Sequence, residues 1–284
     1  MPNEQHETNR ASWNAATARH MSHRDDAAVL ARLQVGEPIL FPEELGLLGN
    51  LRGLRVLHLQ CNDGLDTLAL AREGAAEVVG VDISDVAVAT ASRRGRASGL
   101  PVRFERGDVL DWMATAAAAG ERFDRVFASY GALCWIADLD AWMRGAAALL
   151  APGGRLVVVE FHPLFAVFEP GWVIERSYFG AAGGWRFEEG IQDYVGYLAS
   201  DPEEAARARA WVNPNACVEF QWTVGAIVSA VLGAGMRLEA LQEHPYANGW
   251  QPFPEMRGDD QRRFHPPAGR ELPMMVSLAA GPGA

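Results

Sequence analysis

The chain has 284 residues, of which 49% are hydrophobic and 21% are charged, a composition that excludes an intrinsically disordered protein. Acidic residues outnumber basic ones by 36 to 25, which gives a net charge of −11. Because such a surface repels phosphate backbones, the charge argues against nucleic acid as a partner. The basic runs at residues 93–96 and 262–263 are expected to lie on solvated surfaces.

The three cysteines, Cys61, Cys134 and Cys217, have no paired spacing, so the sequence predicts neither a disulfide framework nor a metal site. The first ten residues are polar and charged, without the apolar core of a signal peptide. No apolar run reaches the ~20 residues that a membrane span requires. We therefore expect a cytoplasmic protein with no membrane partner, and a homo-oligomer is compatible with the sequence.

The N-terminal segment is predicted to be helical. Residues 7–33 are expected to form one helix, with Trp13 and His20 on a common stripe, and Pro42 opens a short second helix. Residues 1–50 would then form a helical lid. Trp13 either anchors this helix to the core or covers a binding site.

Residues 54–84 predict a strand, a polar loop, a helix, a second strand and an acid at its end. Gly64 opens the helix, and Asp82 follows Gly64 by 18 residues. This arrangement is typical of a nucleoside site, in which the carboxylate accepts hydrogen bonds from ribose hydroxyls. A pyrophosphate-binding loop needs three glycines, and Gly64 is the only glycine in this loop, so NAD is disfavoured.

Strands and helices continue to alternate after this unit. Residues 102–109, 123–130 and 155–161 are predicted strands, and residues 138–150 are a predicted helix that Pro152 and the following glycines end. Residues 218–232 are a predicted helix, and residues 238–243 and 272–279 are two closing strands. The alternation predicts an α/β fold.

Residues 164–216 interrupt the alternation and are rich in aromatic residues and glycine. Long insertions of this kind vary specificity on a common scaffold, so we expect a substrate cap. About half of its aromatic side chains are expected to form a small core of their own.

The loop after the first strand resembles motif I of the class I S-adenosylmethionine (SAM) methyltransferases, usually D-L-G-C-G-x-G, in the variant H-L-Q-C-x-x-G-x-D-T-L. The motif's acid is replaced by His58, and two of its glycines are replaced by Gln60 and Asn62. Asn62 tolerates left-handed backbone angles, whereas Gln60 must point its side chain away from the ligand or against it. The segments S-Y-G-A-L-C-W at 129–135 and E-F-H-P at 160–163 match the same branch.

This resemblance implies a Rossmann-like, mostly parallel seven-stranded sheet in the order 3-2-1-4-5-7-6, with helices on both faces. It implies a SAM-binding core at residues 51–163, a cap at 164–216 and the remainder of the core at 217–284, after the lid at 1–50. SAM is the implied cofactor. The implied cofactor-binding residues are Trp13, His58, Gln60, Cys61, Asn62, Gly64, Asp82, Ile83, Asp108, Val109 and Ser129.

Methyl transfer requires alignment of the acceptor atom with the methyl group, and a catalytic base is optional. His162 is a candidate base because imidazole titrates near neutral pH, although it would equally fix the adjoining turn. Glu169, among aromatic residues, and Tyr130 are the other catalytic candidates, and Glu169 would alternatively be a solvated loop acid. Asp63 and Asp66 would bind the methionine amine or cap the next helix. The candidate acceptor-binding residues are Trp135, Trp172, Trp222 and Tyr246.

The sequence therefore predicts a SAM-dependent methyltransferase that acts on oxygen, nitrogen or carbon of an apolar or aromatic small molecule. One alternative is carbon methylation of an isoprenoid diphosphate, with Glu169 removing a proton. Another is a SAM-binding regulatory protein without transferase activity, which the altered residues Gln60 and Asn62 suggest.

Overall fold

One seven-stranded sheet organises the molecule, and the computed structural model describes residues 3–198 and 201–283 of it. Its strands are β1 (Arg55–Leu59), β2 (Glu77–Asp82), β3 (Val102–Arg106), β4 (Phe123–Ser129), β5 (Leu150–Phe161), β6 (Met236–His244) and β7 (Met275–Pro282). They lie in the order β3-β2-β1-β4-β5-β7-β6, with β1–β5 parallel and β7 antiparallel to both of its neighbours. The predicted fold class and strand order are confirmed. The predicted lid, cap and C-terminal segments include residues 1–2, 199–200 and 284, which lie outside the described residues.

Helices cover both faces of the sheet. They are α1 (Glu4–Met21), α2 (Asp26–Gln34), α3 (Pro42–Leu48), α4 (Leu65–Arg72), α5 (Asp85–Ser98), α6 (Val109–Ala118), α7 (Leu139–Ala148), α8 (Pro202–Ala210) and α9 (Val224–Gly233). One core includes buried residues of α6, α7 and α9, and the other includes buried residues of α3 and α4. Because β1–β5 are parallel, their carboxyl ends all lie at one edge of the sheet. In the described part of the chain, no helix combines the length and apolarity needed to span a membrane.

Several predicted element boundaries are wrong, and capping side chains explain three of them. The predicted helix at 7–33 is two helices, since Asp25 accepts a hydrogen bond from the N–H of Ala27 and begins α2. Likewise, α9 begins at Val224 rather than at residue 218, because Thr223 caps it. The third strand ends at residue 106, since Asp108 caps α6.

The predicted cap consists of short elements rather than one regular domain. A hairpin pairs Phe168–Glu169 with Val173–Ile174, and Trp185–Phe187 pairs with Cys217–Glu219, a strand just beyond the predicted cap. Short 3-10 helices span Leu133–Trp135, Phe165–Val167 and Gly196–Leu198. A further small sheet near the C-terminus contains Ala247–Asn248, Arg257–Gly258 and Arg263–His265.

Arg94, in a basic run that was predicted to be solvated, is completely buried. Its Nε donates to Asp26 Oδ1 at 2.8 Å, and its Nη1 lies 2.9 Å from Asp63 Oδ2. Because a buried charge must be paired, Arg94 joins α2, the loop after β1 and α5. Sequence composition alone did not distinguish Arg94 from its exposed neighbour Arg93.

Replacement of Arg94 by Leu is expected to lower the free energy of unfolding by about 3 kcal/mol, because it leaves the Asp63 carboxylate with reduced compensation in the interior. Arg93→Leu is the matched control, since Arg93 also pairs with Asp26 but is exposed, and it should cost at most about 1 kcal/mol. Urea denaturation of both variants measures the difference. Equal losses would contradict a structural role for the buried guanidinium.

Candidate active site

A cavity of about 970 Å³ opens at the carboxyl ends of the parallel strands, the edge at which open α/β sheets bind ligands. Ligand pockets commonly measure about 300–1,000 Å³, so this one has room for more than one small molecule. The sequence-predicted site residues that line it are Trp13, His58, Gln60, Cys61, Asn62, Asp82, Ile83, Asp108, Val109, Ser129, Tyr130, Trp135, Glu169 and Trp222. Those that do not line it are Gly64, His162, Trp172 and Tyr246.

The loop after β1 carries two non-glycine residues in the left-handed region, Gln60 with φ 55° and Asn62 with φ 47°. The prediction that Asn62 holds such a turn is confirmed. The side-chain amide of Gln60 is occupied by the protein, since Nε2 donates to Ala132 O at 2.5 Å and Oε1 accepts from Trp142 Nε1 at 3.0 Å. These bonds offset the cost of about 1–2 kcal/mol that a left-handed side-chain residue carries.

Gly64 supports the loop through close packing. Its φ is 78°, and a Cβ there would lie 2.6 Å from Ala91 Cβ and 2.8 Å from the Phe104 ring. The glycine therefore allows the loop to approach α5 and β3, and it does not itself face the cavity.

Asp82 stands at the end of β2 and faces the cavity. Its two carboxylate oxygens accept hydrogen bonds of 2.8 Å from the backbone N–H groups of Asn62 and Ser84. Burial raises the pKa of Asp82 to about 6, although these hydrogen bonds oppose the shift. Each oxygen retains a lone pair, so the carboxylate can still accept from a vicinal diol.

Asp108 is held by a residue that sequence reasoning missed. His6 Nδ1 lies 2.5 Å from Asp108 Oδ2, while His6 Nε2 accepts from the N–H of Ala137 at 3.1 Å. Burial raises the pKa of Asp108, but the contact with His6 and the backbone N–H donors at the start of α6 together outweigh it, and the net shift is downward. A lone histidine in a polar N-terminal helix offered no signal for this contact.

The helix α1 is attached to the cavity wall at several points. The Asn9 amide forms two hydrogen bonds with the backbone of Val218, at 2.8 and 2.7 Å. Trp13 lines the cavity and also packs edge-on against Trp135, with ring centroids 5.4 Å apart. The two alternatives for Trp13, an anchor and a cover, are therefore compatible.

Glu160 is a buried carboxylate that organises the loop after β4. It accepts hydrogen bonds from the backbone N–H groups of Gly131, Ala132 and Leu133, at 2.6–3.0 Å. Burial raises the pKa of Glu160 although these donors oppose the shift. Because the Ala132 carbonyl in turn receives Gln60, Glu160 fixes two cavity loops relative to each other.

His162 lies behind the cavity wall, which contradicts its prediction as the base. Its Nε2 is 2.8 Å from Glu243 Oε1, and its Nδ1 accepts from the N–H of Leu164 at 3.0 Å. Burial lowers the pKa of His162, so the ring is a neutral structural group. The alternative, in which His162 fixes the adjoining turn, agrees with these contacts.

Two of the predicted acceptor-binding residues pack outside the cavity, Trp172 in a small core and Tyr246 against one of the two sheet cores. Trp172 is buried against Phe253, with centroids 4.6 Å apart, because the hairpin folds it inward. Tyr246 donates its hydroxyl to Glu43 Oε1 at 2.6 Å, and the acid holds it outside the cavity. Both predictions of acceptor contact are wrong.

The aromatic end of the cavity contains two carboxylates. Glu169 forms an ion pair with Arg176. Glu219, which sequence reasoning missed, lines the cavity, and its carboxylate has no hydrogen bond or ion pair to any described residue. Burial raises the pKa of Glu219, while the charge of Arg176 opposes the shift. Sequence reasoning missed Glu219 because it fell inside the helix wrongly predicted to begin at residue 218. The available signal was an acid within the apolar run C-V-E-F.

Trp222, predicted to lie within a helix, precedes α9 and lines the same end of the cavity. Its Nε1 donates to Ile136 O at 3.0 Å, so the ring is held in place. The described residues contain no cluster of His, Cys, Asp and Glu suited to a metal ion, and all three cysteines are free.

A second group of acids lines another part of the cavity, the acidic end, near the start of α4. Glu44 is 1% exposed; its Oε2 accepts from the N–H of Phe41 at 2.6 Å. Burial and the nearby Asp66 carboxylate raise the pKa of Glu44 to about 8, and burial together with Asp63 raises that of Asp66 to about 6. Tyr130 adjoins this group, and burial raises the pKa of its hydroxyl well above the usual value.

Comparison with known proteins agrees with this geometry. Residues 56–154 match the family described as "Methyltransferase domain". The match spans β1 to the beginning of β5, the part that supplies most of the cofactor-side loops.

Two curated relatives match a similar region. A ubiquinone biosynthesis O-methyltransferase of Rhizobium etli is 38% identical over 112 residues, which cover 39% of this chain and 43% of the relative. A demethylmenaquinone methyltransferase of Thermus thermophilus is 38% identical over 110 residues, covering 38% of this chain and 48% of the relative. The chain thus spans less than half the length of these relatives.

A SAM-dependent methyltransferase from Mesorhizobium loti has a similar crystal structure, with a TM-score of 0.53, 24% identity and coverage of 84% of this chain and 95% of that one. At this identity the similarity shows the fold. The chain therefore shares the fold of this SAM-dependent methyltransferase.

Glu160→Gln is expected to lower the free energy of unfolding by about 2 kcal/mol, because the amide replaces one acceptor by a donor that faces backbone N–H groups. Glu243→Gln is the control, since Glu243 has a half-exposed side chain and should change stability by at most about 1 kcal/mol. Denaturant unfolding measures both values. An unchanged stability in Glu160→Gln would contradict the organising role of this acid.

Proposed function

We propose that this protein is a SAM-dependent methyltransferase that acts on a small aromatic acceptor. The observation that carries the proposal is Asp82, a cavity-facing carboxylate held by Asn62 and Ser84 at the end of β2. It lies within the region that matches the methyltransferase family, and its position suits recognition of the two ribose hydroxyls of a nucleoside.

The residues present fit the adenosine part of SAM. Ile83 and Val109 give apolar walls beside Asp82, and Asp108 supplies an acceptor that His6 orients. When bound, SAM supplies an electrophilic methyl group on a sulfonium. The protein's own contribution is orientation and exclusion of water, which α1 provides by covering the cavity with Trp13.

The acceptor end of the cavity favours a flat, mostly apolar molecule. Its aromatic lining includes Trp135, Trp185, Phe187 and Trp222. The names of the two curated relatives refer to quinone compounds, and one of them is an O-methyltransferase. We therefore infer a phenolic or quinol-like acceptor that is methylated on oxygen.

Glu219 is our candidate for the group that takes the acceptor's proton. It is the carboxylate of this end that lacks a cationic partner among the described residues, whereas Glu169 is paired with Arg176. Burial raises the pKa of Glu219, and a carboxylate that holds protons more strongly is a better base. Tyr130 lies nearer the acidic end and is assigned to positioning.

The charges of the cavity do not favour an isoprenoid diphosphate. Four arginines line the cavity in the described part of the chain. Arg24, Arg32 and Arg176 are each paired with a carboxylate, and Arg262 donates to the carbonyls of Pro38 and Ile39. A diphosphate would have to displace these acids, so we rank carbon methylation with Glu169 as base below oxygen methylation. A measurement of methyl transfer would distinguish an enzyme from a SAM-binding regulatory protein.

Asp82→Ala is expected to abolish measurable binding of SAM and of S-adenosylhomocysteine, because the ribose hydroxyls lose their shared acceptor. Asp111→Ala, which removes an exposed acid of α6, should leave both affinities unchanged. Calorimetry with each nucleoside, and with NAD as a third ligand, makes the measurement. Tight NAD binding, or an unaltered SAM affinity in Asp82→Ala, would refute the proposal.

Glu219→Gln is expected to lower kcat by about 100-fold or more with catechols and hydroquinones as acceptors, while S-adenosylhomocysteine binding is retained. In the parent enzyme the acidic limb of the kcat/KM profile should lie above the ordinary range of a glutamate, and it should disappear in the variant. Glu188→Gln, at an exposed cap position, is the control. Full activity of Glu219→Gln would exclude this acid as the base.

A further inference from the structure

The loop after β1 lacks a negative charge at the position where motif I of the SAM methyltransferases has its acid. That position is His58, which is buried, with Nδ1 2.9 Å from Thr67 Oγ1. Burial lowers the pKa of His58 to about 3, so the ring is neutral. SAM and its demethylated product both carry an amino-acid group with an ammonium and a carboxylate. The partner of that ammonium must therefore come from another part of the cavity.

The acidic end of the cavity offers such a partner. Glu44 on α3 and Asp66 in the first turn of α4 both line the cavity, beside Ser129 and the loop after β1. Asp63, the other loop acid, is already occupied, since it accepts from the N–H of Leu65 and pairs with two arginines. Of the two alternatives for these acids, Asp63 therefore caps α4, and Asp66 is the one whose carboxylate is available to a ligand in the cavity.

Two buried oxygens at this end have no donor. Among the described residues, neither Glu44 Oε1 nor Asn248 Oδ1 has a partner in hydrogen-bond geometry, and their residues are 1% and 2% exposed. The nearby Tyr130 hydroxyl lowers the pKa of Glu44 but does not offset its burial. Both residues line the cavity. A buried acceptor without a donor is costly, by an amount comparable to a lost hydrogen bond, so these atoms mark a place for an N–H group of a ligand.

Cationic groups adjoin the same place. Arg24 pairs with Asp63, and Arg262 donates to the carbonyls of Pro38 and Ile39 while its guanidinium stacks on Phe41. Arg262 belongs to the second basic run that was predicted to be solvated, yet it lines the cavity. Acids beside arginines complement a zwitterion, with its ammonium facing the carboxylates and its carboxylate facing the guanidinium groups.

We propose that Glu44 and Asp66 bind the ammonium of the cofactor's amino-acid group, and that as a pair they supply the negative charge that His58 does not. The inference rests on the proposed function and adds the subsite that holds the methionine end. It assigns the ammonium two acids from helices α3 and α4, outside the nucleoside-binding part of the site.

Calorimetry with two ligands tests the assignment. One ligand is S-adenosylhomocysteine; the other is its deamino analogue, in which hydrogen replaces the ammonium and the carboxylate remains. The parent protein should bind the first about 10- to 100-fold more tightly. In Glu44→Gln and Asp66→Asn this ratio should fall about tenfold, while affinity for the analogue stays within about twofold.

Control variants separate this result from other effects. Asp82→Asn should weaken both ligands equally, because the ribose is common to them, and Glu203→Gln, at an exposed site on α8, should change neither. Equal losses for the two ligands in Glu44→Gln and Asp66→Asn, or no loss in either variant, would overturn the inference. A parent protein that binds neither ligand would instead refute the proposed function. Glu44→Gln keeps the side-chain volume and the acceptor for Phe41, and Asp66→Asn gives an independent reading at a second site.

Discussion

The shape of the cavity depends on the buried carboxylate of Glu160. Its bonds to three successive N–H groups hold the loop after β4, and the carbonyl of Ala132 in that loop then receives Gln60 from the loop after β1. Two loops that any cofactor at this edge must touch are thereby fixed by one side chain. This network also explains the unusual glutamine of the motif, since a glycine at position 60 would make no such link.

Pairing of charges separates the structural acids from those available to ligands. Asp63 is neutralised by Arg24 and Arg94, and Glu160 is saturated by backbone donors. By contrast, Glu44 and Glu219 line the cavity without a cationic partner among the described residues, and burial raises the pKa of each. Under the proposed function, Glu44 would lie beside the cofactor and Glu219 beside the acceptor.

Sequence patterns predicted the fold well and the site in part. Buried parallel strands are continuous apolar runs, so β1, β2, β4 and β5 were recognisable, and the motif loop placed Asp82 correctly in the cavity. Helix ends were less predictable: Asp25 and Thr223 each compete with neighbouring polar residues for the capping role. The misplaced start of α9 concealed Glu219, and no periodicity distinguishes a buried arginine such as Arg94 from an exposed one.

By itself, the sequence determined the order of strands and helices, the nucleoside-type crossover at 54–84 and the resemblance to SAM methyltransferases, because these depend on local patterns along the chain. Only the tertiary structure decided which acids face the cavity, that His162 and Trp172 lie outside it, and that Glu44 of α3 and Asp66 of α4 both line it. Those facts depend on contacts between residues far apart in sequence, where burial and charge pairing set each side chain's chemistry.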